Sequence, residues 1–400
     1  MELTQPYSNK IMYLQVLLLV LGIEGFQLIS NIPEAIGVLN SRIVSIPYRF
    51  VYCVICILTL LHFRWEIKFN RLFLPVFLFI FLYFIRASYD TIFKFSEVAS
   101  IAVEFWLFAF IIGFFPMLPF LYKMNLKTIE FSKKALFVIT TIINIISFKS
   151  NYFAIADEKL GVRLYGNELI NPITYGQSGV VLVILCLTLF QDPKFKLKII
   201  LLPILAIALM NVALAGSRGP MIELTITFLL FIIFNFKKIG TFNITVLFIT
   251  IIGVAFYFSD YLIFFNTAID RLSETGLNKG SESEQRYYLF KDAIEQFFNN
   301  PLFGYQAIGV YPHNLNLEAF LSLGILGGLL FIYIIVISIY FSISLIKTST
   351  TNWIGLIFMM FIISTFISGA LWNSFEFWSL LALCFTLYKN KELYLNFAQK

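Results

Sequence analysis

The sequence predicts an all-α polytopic membrane protein with about twelve transmembrane helices. Three observations predict it. Hydrophobic residues make up 59% of the 400 positions and charged residues only 13%, whereas soluble domains run about half apolar and about a quarter charged. The apolar residues fall in runs close to the roughly 20 residues that a spanning helix needs, and twelve such runs would use about 240 residues, matching that apolar share. Basic residues collect in alternate gaps between the runs, the asymmetry expected of cytoplasmic loops. These values exclude a soluble enzyme and a disordered chain. They also exclude a nucleic-acid-binding domain, because a net charge of +6 spread over many short loops makes no phosphate-tracking stripe.

From the N-terminus, the runs are 12–32, 43–61, 72–88, 98–121, 135–149, 173–190, 197–215, 219–236, 241–258, 315–346, 352–371 and 374–388. The fifth is short for a span. Aromatic residues reach 18%, which suits lipid-facing helices with Tyr and Trp at the interfaces. Cys53, Cys56, Cys186 and Cys384 all fall inside apolar runs. The single C-x-x-C has no second pair or nearby His to complete a metal site, so helix packing is their expected role. The opening MELTQPYSNK has no basic n-region and no A-x-A site after it, so no cleavable leader is expected.

The gaps orient the chain. Arg64, Lys68 and Arg71, then Lys123, Lys127, Lys133 and Lys134, then Lys194, Lys196 and Lys198, then Lys237 and Lys238, then Lys347 occupy alternate loops. With Lys10 and the tail they make 17 of the 29 basic residues. Positive-inside placement puts both termini in the cytoplasm. An even number of spans is consistent with that. The two long gaps on the other side, 150–172 and 259–314, then face outward. The second holds SEQRYYLFKDAIEQFFNNP, where Tyr288, Phe290, Ile294 and Phe297 recur near helical spacing before an Asn-Asn-Pro stop. No repeat or soluble segment interrupts residues 1–400, so one integral membrane domain is expected.

An ionisable group at membrane depth asks for a partner or a purpose. Glu24, Arg49, Glu104, Glu223 and Glu318 are such groups. Glu24 and Arg49 lie at depths agreeing within about 3 Å, so an ion pair between them is expected. On the outer side, Ala215-Gly-Ser-Arg-Gly-Pro220 carries three helix breakers around Arg218, whose guanidinium fork suits phosphate oxygens. Tyr311-Pro-His-Asn-Leu-Asn-Leu-Glu318 opens another span. His313 there can take a proton near neutral pH. Asn314 and Glu318 lie four apart on one helical face and are candidates to orient a neighbour or substrate. Arg163, Arg271 and Arg286 add outer-side cations. Arg271, between Asp270 and Glu274, is also suited to local ion pairing. The chain has no G-x-x-x-x-G-K-[ST], which argues against ATP-driven transport. It has no D-x-D or multi-His cluster, which argues against metal catalysis. Several arginines and one histidine fit instead a substrate already activated as a lipid-linked diphosphate. Arginine would neutralise the leaving group and histidine deprotonate an attacking hydroxyl.

In three segments the chain resembles the O-antigen ligase and polymerase superfamily of bacterial membrane glycosyltransferases. They are Arg163-Leu-Tyr-Gly166 with Asn171-Pro172; Gly216-Ser-Arg-Gly219; and Gln285-Arg286 through Asn300-Pro-Leu-Phe-Gly304 and Pro312-His-Asn314 to Gly324-Ile-Leu-Gly327. The resemblance covers about residues 160–330. It implies transfer of a glycan from undecaprenyl diphosphate to an acceptor sugar hydroxyl, without a metal or other cofactor. It places the functional arginines at Arg218 and Arg286, with Arg163 as a further one, and the histidine at His313. The implied partners are the lipid-linked glycan donor and acceptor and membrane lipid, with a chain-length regulator and a flippase around them. The Tyr-Pro-His-Asn wording looks more like an O-antigen polymerase than a ligase that moves finished chains to lipid A–core. From another class, a transporter of lipid-linked sugar stays open, although no broken helices in repeated halves are visible.

Overall fold

A computed structural model describes residues 9–35, 41–62, 71–107, 109, 113–156, 171–193, 195–239, 282–309 and 311–390. Among them every element is helical and no strand forms. The helices are α1 (Asn9–Val20), α2 (Phe26–Ala35), α3 (Ser41–His62), α4 (Leu74–Phe93), α5 (Phe95–Leu107), α6 (Leu126–Ala156) and α7 (Pro172–Phe190). They continue as α8 (Leu201–Leu214), α9 (Arg218–Ile239), α10 (Glu282–Asn299), α11 (Leu315–Ile346), α12 (Asn352–Ile367) and α13 (Phe375–Lys389). Six stretches are long and apolar enough to cross a membrane: Met12–Ser30, Arg71–Phe93, Leu126–Lys149, Pro172–Phe190, Arg218–Asn235 and Leu315–Ile346. Shorter apolar helices cover Ile46–His62, Val98–Leu107, Lys198–Leu214 and Asn352–Ile367. The chain is a polytopic membrane protein.

Three of the predicted runs need comment. Run 98–121 is not one helix: α5 ends at Leu107, and Phe115–Leu121 forms a 3-10 turn containing Pro116 and Pro119, residues that lack the amide N–H a continuing α-helix uses. The short fifth run is instead the 31-residue α6. Its polar first turns are helical because the Asn125 side chain caps them, accepting from Thr128 N at 2.7 Å. Run 241–258 lies outside the described residues.

The chain divides into two compact units. One comprises Met1–Ile55, Met124–Ser273 and Leu345–Met360; the other comprises Cys56–Lys123, Glu274–Ser344 and Phe361–Lys400. In the first, α7 is the central helix, with Tyr175, Gly176 and every residue from Ser178 to Leu189 buried. A helix apolar all round belongs inside its bundle, and α6, α8 and α9 pack on it. Asn171 starts it by accepting from Thr174 N at 2.9 Å, with Pro172 at the first helical position. Between α1 and α2, Leu21–Gly25 forms a π turn. The Tyr48 hydroxyl donates to Leu21 O at 2.6 Å, supplying a donor where the helical ladder is widened.

The second unit has an aromatic interior. Phe79 of α4 stands 5.1 Å from the Phe331 ring of α11, and Phe114 stands 5.1 Å from Trp378 of α13. Here α11 is kinked at Gly324, whose φ is 68°. The segment between α10 and α11 runs along this break. Tyr305 N donates to Leu321 O at 2.7 Å and Ile325 N to Pro301 O at 2.8 Å. A Cβ at Gly324 would meet the carbonyl of Leu302, so only glycine allows the approach.

Candidate active site

Arg218 opens α9 after a tight turn. Gly216 takes φ 53°, and its N–H donates to Ala213 O at 3.0 Å, so α8 ends and α9 begins within three residues. Arg218 is half-buried while Ser217, Gly219 and Pro220 are buried. The guanidinium therefore stands at a helix N-terminus, where the macrodipole also favours an anion.

Below this turn, the first unit carries a buried polar chain. Tyr175 donates to Asn211 Oδ1 at 2.5 Å. Asn211 Nδ2 donates to Asn144 Oδ1 at 2.8 Å. Asn144 Nδ2 donates to Ser178 Oγ at 3.1 Å, and Ser178 Oγ donates to Glu24 Oε2 at 3.0 Å. Three helices, α6, α7 and α8, and the π turn are thereby tied together. Glu24 is bound by Ser178 instead of Arg49, which corrects the expected ion pair. The reason lies in the π turn, whose Glu24 side chain is buried. Glu223 accepts from Gln177 Nε2 at 3.0 Å, and Glu104 is exposed.

His313 lies in the second unit, one residue before Asn314 caps α11. It holds φ 55°, a conformation in which non-glycine residues are uncommon though His is enriched. Its ring centroid lies 3.9 Å from that of Tyr311. Asn314 Oδ1 accepts from Leu317 N at 3.0 Å, and Asn314 Nδ2 donates to Phe366 O at 3.0 Å. Asn314 is thus a helix cap that also grips α12. Glu318 is fully buried. Its Oε1 accepts from the Tyr83 hydroxyl at 3.3 Å and its Oε2 from Leu371 N at 2.9 Å. The carboxyl that sequence offered as a substrate contact instead joins α4, α11 and the segment entering α13. Its direction follows from helical phase: it shares the packed face with Leu315, Ala319 and Ser322.

Arg286 stands in the second turn of α10, and its side chain lies outside the described residues. Arg163 and Arg271 also lie outside them. Along α10, Phe297 packs 5.5 Å from the Phe320 ring, while Tyr287, Tyr288, Ile294 and Phe298 face outward. The predicted amphipathic helix is there, but Tyr288 and Ile294 belong to its exposed side.

Sequence reasoning missed a charged clamp on α4. Arg86 and Asp90 lie at i and i+4 on one face of α4, and Lys94 follows as the residue that ends the helix. All three reach the segment between α10 and α11. Arg86 donates to Phe303 O at 3.0 Å and to Tyr305 O. Lys94 donates to Tyr305 O at 3.0 Å. Asp90 accepts from Ala307 N at 2.6 Å and pairs with Arg86 Nε at 3.1 Å. The available signal was that spacing, at the end of a run whose helix continues past residue 88 to Phe93. Among the described residues, no three His, Cys, Asp or Glu side chains gather as a metal site would require.

Residues 203–332 match the sequence family described as O-antigen ligase. This supports the O-antigen ligase and polymerase superfamily. The matched segment, about a third of the chain, contains the Arg218 turn, Arg286, the segment held by α4, and His313. Arg163-Leu-Tyr-Gly166 and the α4 clamp lie outside it. No curated protein matches the chain.

Proposed function

We propose that the protein is a membrane glycosyltransferase that joins undecaprenyl-diphosphate-linked repeat units of a surface polysaccharide. Twelve spans, cytoplasmic termini and a periplasmic site in the bacterial inner membrane belong to this reading. The observation that carries it is the co-occurrence, within the matched residues 203–332, of a cation and a proton acceptor, each at the start of a long apolar helix. The acceptor sugar oxygen attacks the anomeric carbon of the lipid-linked donor. The carbon–oxygen bond to the diphosphate breaks, and its electron pair leaves with the diphosphate. His313 takes the proton of the acceptor hydroxyl. Arg218, with Arg286, neutralises the departing diphosphate. Arg163 and Arg271 are substrate-binding residues in this reading. Asn314 and Glu318 act as positioning residues that fix the His313 turn.

The description of the matched family as O-antigen ligase favours a second reading, transfer of finished chains onto lipid A–core. The lipopolysaccharide ladder of a deletion strain tests both. Loss of the ladder with one repeat still on core supports the polymerase. Loss of every repeat from core supports the ligase. Polymer formation by purified protein on preloaded carrier lipid, with no gradient, separates either enzyme from a transporter.

A further inference from the structure

Beside the α4 clamp, the second unit holds a groove of about 680 Å³. Its walls include Leu82, Ile85, Arg86, Lys94, Phe303 and Leu326. We propose that this groove is a separate lipid site, which takes the diphosphate of a polyprenyl carrier on Arg86 and Lys94 and the start of its chain on the apolar wall. The proposal rests on the glycosyltransferase reading, in which a polymerase must hold two carrier-linked chains at once.

Three observations carry it. First, the cations keep donors in reserve. A guanidinium has five N–H groups and an ammonium three. Arg86 uses one bond from each terminal nitrogen on the Phe303 and Tyr305 carbonyls, and Lys94 uses one on Tyr305 O. Asp90 is fully buried, takes Arg86 Nε at 3.1 Å and accepts from Ala307 N, which leaves one net positive charge on the cluster, with one N–H on each terminal nitrogen of Arg86 and two on Lys94 still to offer. Second, the lining is ordered along α4. Leu82 and Ile85 come first and Arg86 and Lys94 last, over about 18 Å at the helical rise. An amphiphile with a charged head and a long tail has this order. Third, the apolar wall faces outward: Leu302, Phe303 and Leu326 are 65%, 80% and 74% exposed. Apolar surface beside a charged cluster meets both the tail and the head of an amphiphile, and the four N–H groups left on Arg86 and Lys94 suit the several oxygens of a diphosphate.

The test uses the purified full-length protein in nanodiscs and undecaprenyl diphosphate as the probe, read by native mass spectrometry. Wild type should bind two carrier molecules per chain. Lys94→Glu and Leu326→Trp should each bind one, with affinity for the second reduced at least tenfold. Leu326→Trp fills the groove without touching the clamp, so a loosened loop in Lys94→Glu does not decide the result. Two carriers still bound by both variants overturn the site. Displacement of the second carrier by equimolar phosphatidylglycerol also overturns it, since the groove would then be an ordinary lipid contact. Two carriers bound by a protein that forms no polymer would keep the site and remove the glycosyltransferase reading. Normal polymer formation with single-carrier binding in wild type would do the reverse.

Discussion

Two turns of this molecule look alike in outline and differ in where the backbone strain sits. At the α8–α9 turn, Gly216 takes the left-handed conformation, φ 53°, and Arg218 follows in regular helix. At the entry to α11, His313 itself takes it, φ 55°. The supports differ too. The first turn rests on a chain of amides and hydroxyls ending at Glu24. The second rests on a buried carboxyl, Glu318, and on the α4 clamp. In the proposed reaction, a guanidinium on a long stem would reach its target from an ordinary helix start. An imidazole has a short stem, so the backbone must aim it, and an unusual φ at a functional side chain is one way to do so.

The largest effect should come from His313→Ala, which removes the proposed base. Proton-transfer catalysis is typically worth about 10²–10⁴-fold, and turnover should fall on that scale with carrier binding kept. In wild type, turnover should also fall as pH drops through the range where imidazole protonates, near about 6.5, because a protonated ring accepts no proton. His313→Gln with substantial activity and an unchanged pH profile would remove His313 from the chemistry.

Next in size is Arg218→Ala, with an expected loss of about 10²–10³-fold, the usual result of removing one stabilising donor from a developing anion. Arg218→Lys should recover little of it, since a point charge does not reproduce a bidentate fork. A full ladder from Arg218→Lys at normal protein level would mean that the first turn supplies only charge.

How much of this was legible in sequence follows the same division. The Arg218 turn announces itself, because Gly and Pro around one cation are local signals. Most of the helices do too, from apolar runs alone. The supports were hidden. Asn144 and Asn211 lie 67 residues apart, and nothing local says that two mid-helix amides will meet. Glu24 and Arg49 matched in depth, but depth says nothing about rotation around the helix axis, and the π turn changes it. Asp90 is hidden for a simpler reason: the apolar run stops at 88, before the helix itself stops at Phe93. The Gly324-Ile-Leu-Gly327 pattern is visible in the sequence only as a resemblance. Its physical cause, pairing of a kinked helix with Pro301 and Tyr305, needed the fold.

Glu318→Ala probes the support of the second turn. Removing the carboxyl leaves the Leu371 N–H and the Tyr83 hydroxyl buried without this acceptor, at a cost of about 1–3 kcal/mol. Thermal unfolding should register that loss, with turnover falling in proportion as the His313 turn loosens. Asn211→Ala should cost a similar amount in the first unit but leave the His313-dependent pH profile unchanged. A shifted pH profile in Asn211→Ala would mean that the two supports are not independent.

The smallest effect sharpens the comparison most. If strain in the first turn belongs to the backbone alone, Gly216→Ala should cost about 1 kcal/mol, the penalty of placing an L-residue in the left-handed region. Gly216→Asn should cost less, because Asn visits that region more readily. Neither should change turnover much at permissive temperature, since Arg218 begins its helix after the turn is complete. The matching exchange at the second turn has the opposite expectation. His313→Asn tolerates the backbone and keeps the fold, yet should lose the base and most of the turnover. Unfolding temperature and carrier-linked turnover measured on the same three variants separate the two quantities. A Gly216→Asn protein that is stable but inactive would show that Arg218, like His313, is aimed by the strained residue beside it.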